Sequence, residues 1–143
     1  MLFRGVLAGL ITGTALSLFL KGIEAMTGQK VYVLLLNVDF IYSSLLPEII
    51  EFNMHLAVAS SIGILYVYIL YFFRIQFKVK KGLAAMALTV PAIFLYFPLT
   101  SLAKKETPAF NDYPSIGWWT AGHILFAAVL ACSEHFINKK TPQ

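Results

Sequence analysis

The chain has 143 residues, 59% of them hydrophobic and only 13% charged, about half the charged share of an ordinary soluble domain. Its charges cluster between long apolar runs, the pattern of a polytopic membrane protein, and its length fits one membrane domain over residues 1–143. The net charge of +4 argues against nucleic acid, because the basic residues flank apolar spans and read as membrane anchors.

The first stretch, Leu2 to Met26, carries no charge between Arg4 and Lys21. About 20 apolar residues at ~1.5 Å each cross the ~30 Å hydrocarbon layer. Its core is long for a secretory signal, and no small-x-small cleavage site precedes a polar start, so it is expected to remain as a membrane helix. Gly5, Gly9 and Gly13 recur every fourth position on one face, which lets a neighbouring backbone approach closely. That neighbour is either another helix of this chain or a second copy. Lys21 and Glu24 close the helix at a membrane boundary.

Thr27 to Pro47 is apolar but broken by Asn37, Asp39, Ser43 and Ser44. An interfacial helix or a re-entrant piece fits it best, with a fifth span as the alternative. Pro47 then opens a helix, with Glu48 and Glu51 placed to favour its dipole. This span holds His55, the small pair Ala59 and Gly63, and an aromatic far end from Tyr66 to Phe73. After a basic loop comes the third span, containing Pro91 and Pro98, each expected to kink it. Thr89 and Thr100 are expected to help cover the freed carbonyls. In the last span Trp118 and Trp119 mark an interface, His123 follows one turn on, and Cys132 reads as a buried small residue. A lone cysteine forms no intrachain disulfide and no metal motif. Glu134 and His135 read as facing the interface.

The fold class expected is therefore all-α: a four-helix transmembrane bundle spanning about 3–24, 50–73, 82–103 and 116–137. An interfacial or re-entrant segment lies between its first two helices. With four spans, Arg4, Arg74, Lys78, Lys80, Lys81, Lys139 and Lys140 share one side, against Lys21, Lys30, Lys104 and Lys105 on the other. Positive residues favour the cytoplasm, so both termini are expected there, in the plasma (inner) membrane.

Glu48, Glu51 and His55 are spaced by three and four and share a helix face. His55, His123, Lys21 and Glu24 fall at one depth near the outer surface. Ionisable groups in a span usually face the bundle interior or water and are often functional. Lys21, Glu24, Glu51, His55 and His123 thus form a candidate proton-responsive layer, with His55 and His123 facing each other or a shared aqueous pocket and Glu24 and Glu51 nearby. The competing reading is a solvated rim of snorkelling, mutually paired charges. Glu51 and His55 at i and i+4 are too few for a metal site, so no metal and no cofactor is expected. No nucleophile and base can be paired, so no catalytic residue is expected. The function classes left are a proton- or small-solute-handling membrane protein and an accessory subunit of a larger complex. The partners expected are the lipid bilayer and a second copy or another membrane protein.

Lys21-Gly22-Ile23-Glu24, His55, Phe97-Pro98-Leu99 with Pro108, and Gly122-His123 occur in that order along the four spans. In this the chain resembles the YagU-like small inner-membrane proteins. The resemblance implies a multi-pass inner-membrane protein linked to survival in acid, a stress role. It weights Lys21, Glu24, His55 and His123 as a set and implies no substrate.

Overall fold

The structure is a computed structural model; it describes residues 1–42 and 44–139, with side chains described through Ser133. The sequence readings for Ser43, Lys139, Lys140, Glu134 and His135 rest on side chains or residues outside that description.

Six helices form among the described residues: α1 (Leu2–Thr27), α2 (Val31–Leu35), α3 (Glu48–Phe72), α4 (Lys78–Phe94), α5 (Tyr96–Leu102) and α6 (Tyr113–Lys139). Four helical stretches are long and apolar enough to cross a membrane: α1, α3, α4 continuing into α5, and α6. The fold is the all-α four-span bundle expected from the sequence, with span ends a few residues from those inferred.

The centre of the bundle is α1, which packs along α3, α6 and α2. Its glycine face meets α3 of the same chain. A Cβ on Gly5 would stand 2.5 Å from the Ile64 Cα, and one on Gly9 would fall on the Ala59 carbonyl group and the Ser60 backbone. From the other side, a Cβ on Gly63 would lie 2.7 Å from the Gly9 backbone nitrogen. The two small-residue pairs thus meet each other, and the backbones touch where side chains would hold them apart. Gly13 faces the Ala59 side chain, a looser contact. Thr12 and Ser17, both buried in α1, donate back to Ala8 O (2.6 Å) and Gly13 O (2.9 Å), so neither hydroxyl is left unpaired. At the end of α1, Gly28 adopts the left-handed conformation (φ 76°) and its N–H returns to Glu24 O at 2.9 Å.

The third span is broken, and the break identifies which proline matters. The helix α4 passes through Pro91 and ends at Phe94, four residues before Pro98. Pro98 has no N–H for the Phe94 carbonyl, and its ring crowds that oxygen. The hydroxyls of Thr89 and Thr100 do not cover the gap, contrary to expectation. Thr89 bonds Ala85 O and Thr100 bonds Phe97 O. Where α4 ends, another helix supplies a donor to the two preceding carbonyls: Trp119 Nε1 lies 3.2 Å from Ala92 O and 3.1 Å from Ile93 O. Trp119 is accordingly buried at 2% exposure, so it is a structural donor rather than an interfacial anchor. Trp118 keeps the exposed position. Cys132 is exposed on the outside of α6, where a buried position was expected.

Among the described residues, the 31–47 region contains one short helix and no fifth span. From Val31 to Asp39 it is largely buried and lies across one end of the bundle, against α1, α5 and α6. Asn37 Nδ2 donates to Leu99 O at 2.9 Å. The Asp39 carboxylate accepts from the backbone N–H groups of Lys104 (2.6 Å) and Lys105 (3.1 Å). The polar residues that interrupt this segment therefore fasten it to the end of α5.

Candidate functional site

The five candidate residues divide into an outer network and an inner cavity. In the outer network, Lys21 Nζ pairs with Glu48 Oε1 at 2.9 Å, and the Tyr32 hydroxyl donates to the same oxygen at 2.9 Å. Lys21 also lies 5.0 Å from the centre of the Tyr32 ring, a cation–π distance. Burial, together with the bond to Glu48, pushes the Tyr32 hydroxyl up to about 12.

Glu24 has a different task from the one expected. Its Oε2 accepts the backbone N–H groups of Tyr32 (2.9 Å) and Val33 (3.1 Å). A carboxylate at the first turn of α2 satisfies orphan donors and complements the helix dipole. Glu24 does not line the histidine cavity. It belongs to the fastening of the 31–42 segment.

Glu51 stands between the two regions. It is 4% exposed and forms an ion pair with Lys105, just beyond α5. This pair ties the start of α3 to the end of the broken third span. Neither Lys105 nor Tyr32 stands out from sequence spacing, and the spacing of Glu48 does not reveal its partners, because each contact joins residues far apart along the chain.

Below Glu51 lies a cavity of about 190 Å³ bounded by α1, α3, α4, α5 and α6, with the 35–41 segment across its outer end. His55 and His123 both line it, as the sequence reading expected, and so does Glu51. The rest of its wall is mainly apolar, from Leu16, Ala59, Ile62, Ala92 and Phe126 among others. The Trp119 and His123 rings pack against each other with centroids 4.4 Å apart and planes tilted by 41°.

Each histidine spends one ring nitrogen on a backbone carbonyl. His55 Nε2 lies 3.3 Å from Gly13 O, and His123 Nδ1 lies 2.8 Å from Trp119 O. A carbonyl only accepts, so each of these nitrogens carries its proton. In the neutral rings, His55 Nδ1 and His123 Nε2 are left as acceptors, with no hydrogen-bond partner among the described residues. No enclosed side-chain polar atom is left unpaired among the described residues. The two nitrogens therefore touch open space, and the space beside both rings is this cavity. Among the described residues no three ligating side chains converge as a metal site would need.

The cavity opens sideways. Of the four long-helix seams, the one between α3 and α4–α5 is packed most loosely. The cavity lies along it, and its rim residues Ile41, Val58 and Leu95 are exposed and apolar. In a span, exposed apolar side chains face hydrocarbon. No family model matches this chain, and neither a curated protein nor a solved structure matches it.

Proposed function

We propose that this chain is a small-solute-binding protein of the inner (plasma) membrane, with both termini cytoplasmic, whose cavity is gated by the protonation of His55 and His123. The carrying observation is that two ring nitrogens without partners sit beside one cavity in the same half of the bundle. Protonating either ring turns an acceptor into a donor inside a mostly apolar chamber, and so changes what the chamber holds. The charged groups nearest the rings belong to the Glu51–Lys105 pair at the cavity's outer edge. The resemblance to YagU-like proteins supports an acid-linked role. The basic residues at the α3–α4 turn support the orientation. The reading assigns binding rather than catalysis, acting alone or as a homo-oligomer.

The test is ligand-observed NMR on the protein in lipid nanodiscs with a panel of small fragments. Wild type should bind members of the panel in a 1:1 ratio. Ala92→Phe, which fills the cavity, should lose that binding while keeping the wild-type helix content. Wild type that binds nothing, or Ala92→Phe that binds as well, overturns the reading. The accessory-subunit reading makes the opposite prediction: a foreign polypeptide in stoichiometric amount after extraction from native membranes, and an empty cavity.

A further inference from the structure

We infer that the cavity selects a neutral molecule about the size of one ring that carries a hydroxyl or other single hydrogen-bond donor, of the phenol or short alcohol class. This rests on the small-solute reading above and names its ligand.

Four polar side chains on the helical walls of the cavity carry an N–H or O–H: His55, His123, Thr89 and Trp119. Each gives it to a backbone carbonyl, of Gly13, Trp119, Ala85, and Ala92 with Ile93, respectively. A neutral imidazole and an indole have one N–H, and a hydroxyl has one O–H. Glu51 contributes only acceptor oxygens, and one of them already holds Lys105. Asn37, in the closing segment, gives one N–H to Leu99 O and keeps a second. The helical walls thus offer acceptors and no free donor: His55 Nδ1, His123 Nε2, the Thr89 hydroxyl oxygen and the second Glu51 oxygen; the spare donor lies outside them, on Asn37 at the outer end.

A guest bearing only acceptors, such as a ketone or ether, finds nothing on those walls to bond. It also leaves its own oxygen desolvated, which is costly in apolar surroundings. A guest with a hydroxyl satisfies one ring nitrogen. A cationic donor is disfavoured, because the wall is mostly apolar and the one carboxylate is already neutralised by Lys105. Size sets the body: an apolar cavity of about 150 Å³ admits a benzene molecule, and this one is about 190 Å³. Val58 and Leu95 line the cavity and are exposed on the spans, so a guest with an apolar body can reach it from the bilayer.

The experiment compares 4-fluorophenol with 4-fluorotoluene by fluorine NMR at pH 8, using the full chain in phosphatidylcholine nanodiscs. Empty discs give the bilayer partitioning of each probe. The expected result is at least about tenfold tighter binding of the phenol after that correction. The His55→Leu/His123→Leu variant should still bind the toluene analogue and lose the preference. Wild type alone supplies a second readout that needs no variant to fold: the resonance of one unprotonated ring nitrogen, His123 Nε2 or His55 Nδ1, should move upfield with the phenol and stay put with the toluene analogue. Equal binding of the two probes, a preference that survives without both histidines, or two unmoved histidine resonances overturn donor selection and leave the small-solute reading standing. Binding of neither probe, with other fragments still binding, also overturns the inference alone. A wild type that binds no fragment at all overturns both.

Discussion

Glu51, buried, and Lys105, partly exposed, form an ion pair between residues 54 positions apart in the chain, across the seam where the bundle is loosest. Breaking one side of such a pair leaves an uncompensated charge and typically costs about 3–5 kcal/mol, whereas removing both charges is often close to neutral. Lys105→Met should therefore destabilise the protein by about that amount in thermal unfolding in detergent. Glu51→Gln combined with Lys105→Met should recover most of the loss. A Lys105→Met cost under about 1 kcal/mol would show that the pair is solvated.

The glycine contacts give a graded prediction. Gly9→Leu and Gly63→Leu place bulk against backbone, which cannot yield as a flexible side chain can. Both should separate α1 from α3 and abolish the folded monomer on size exclusion. Gly22→Ala meets nothing within 4 Å. As an exposed helical site it should gain up to about 1 kcal/mol of stability. Equal tolerance of all three substitutions would contradict the helix contact described.

Glu24 should matter to one segment rather than to the whole bundle. Glu24→Ala removes the acceptor of two backbone N–H groups at α2, with an expected cost of about 1.5–3 kcal/mol per charge-assisted bond. Glu24→Gln keeps an acceptor oxygen and should cost less. The measurement is thiol labelling of Val38→Cys in a Cys132→Ser background. Labelling should accelerate in Glu24→Ala and stay slow in Glu24→Gln. Unchanged labelling in both would show that the 31–42 segment is held by other bonds alone.

Much of this was readable from the chain, and the division has a physical cause. The glycine spacing of α1, the matching Ala59–Gly63 pair and the depth of the two histidines follow from helical period and span length. Those quantities are local. What was not readable depends on partners far along the chain. Glu24 and Glu51 have like chemistry and similar depth, yet one caps α2 and the other pairs with Lys105. Trp119 looks the same as Trp118 in sequence. It is buried against α4, where its ring N–H meets the Ala92 and Ile93 carbonyls at the break in the third span. The 31–47 region showed its polar interruptions but not their use as fasteners to Leu99, Lys104 and Lys105.

Alkaline pH should weaken the outer network through Tyr32. Its folded hydroxyl is held up at about 12, above the ordinary 10.0. Below pH 10 both states keep the proton, and this group's contribution is fully present. Between pH 10 and 12 the unfolded chain loses the proton while the folded chain retains it, so stability falls as pH rises. Tyr32→Phe should remove that part of the decline, as read from unfolding midpoints at pH 9 to 12. An identical alkaline slope in wild type and Tyr32→Phe would show that the hydroxyl is solvated.

The central claim is that His55 and His123 each commit one specific nitrogen to a backbone carbonyl and turn the other toward a shared cavity. The chain has three histidines, so a His135→Gln background leaves only the pair in question. Nitrogen-15 solid-state NMR of histidine-labelled protein in lipid bilayers at pH 8 reads the tautomers directly. His55 should be protonated at Nε2 and His123 at Nδ1, two opposite tautomers in one bundle. The same tautomer at both sites, with His123 protonated at Nε2, would contradict the account.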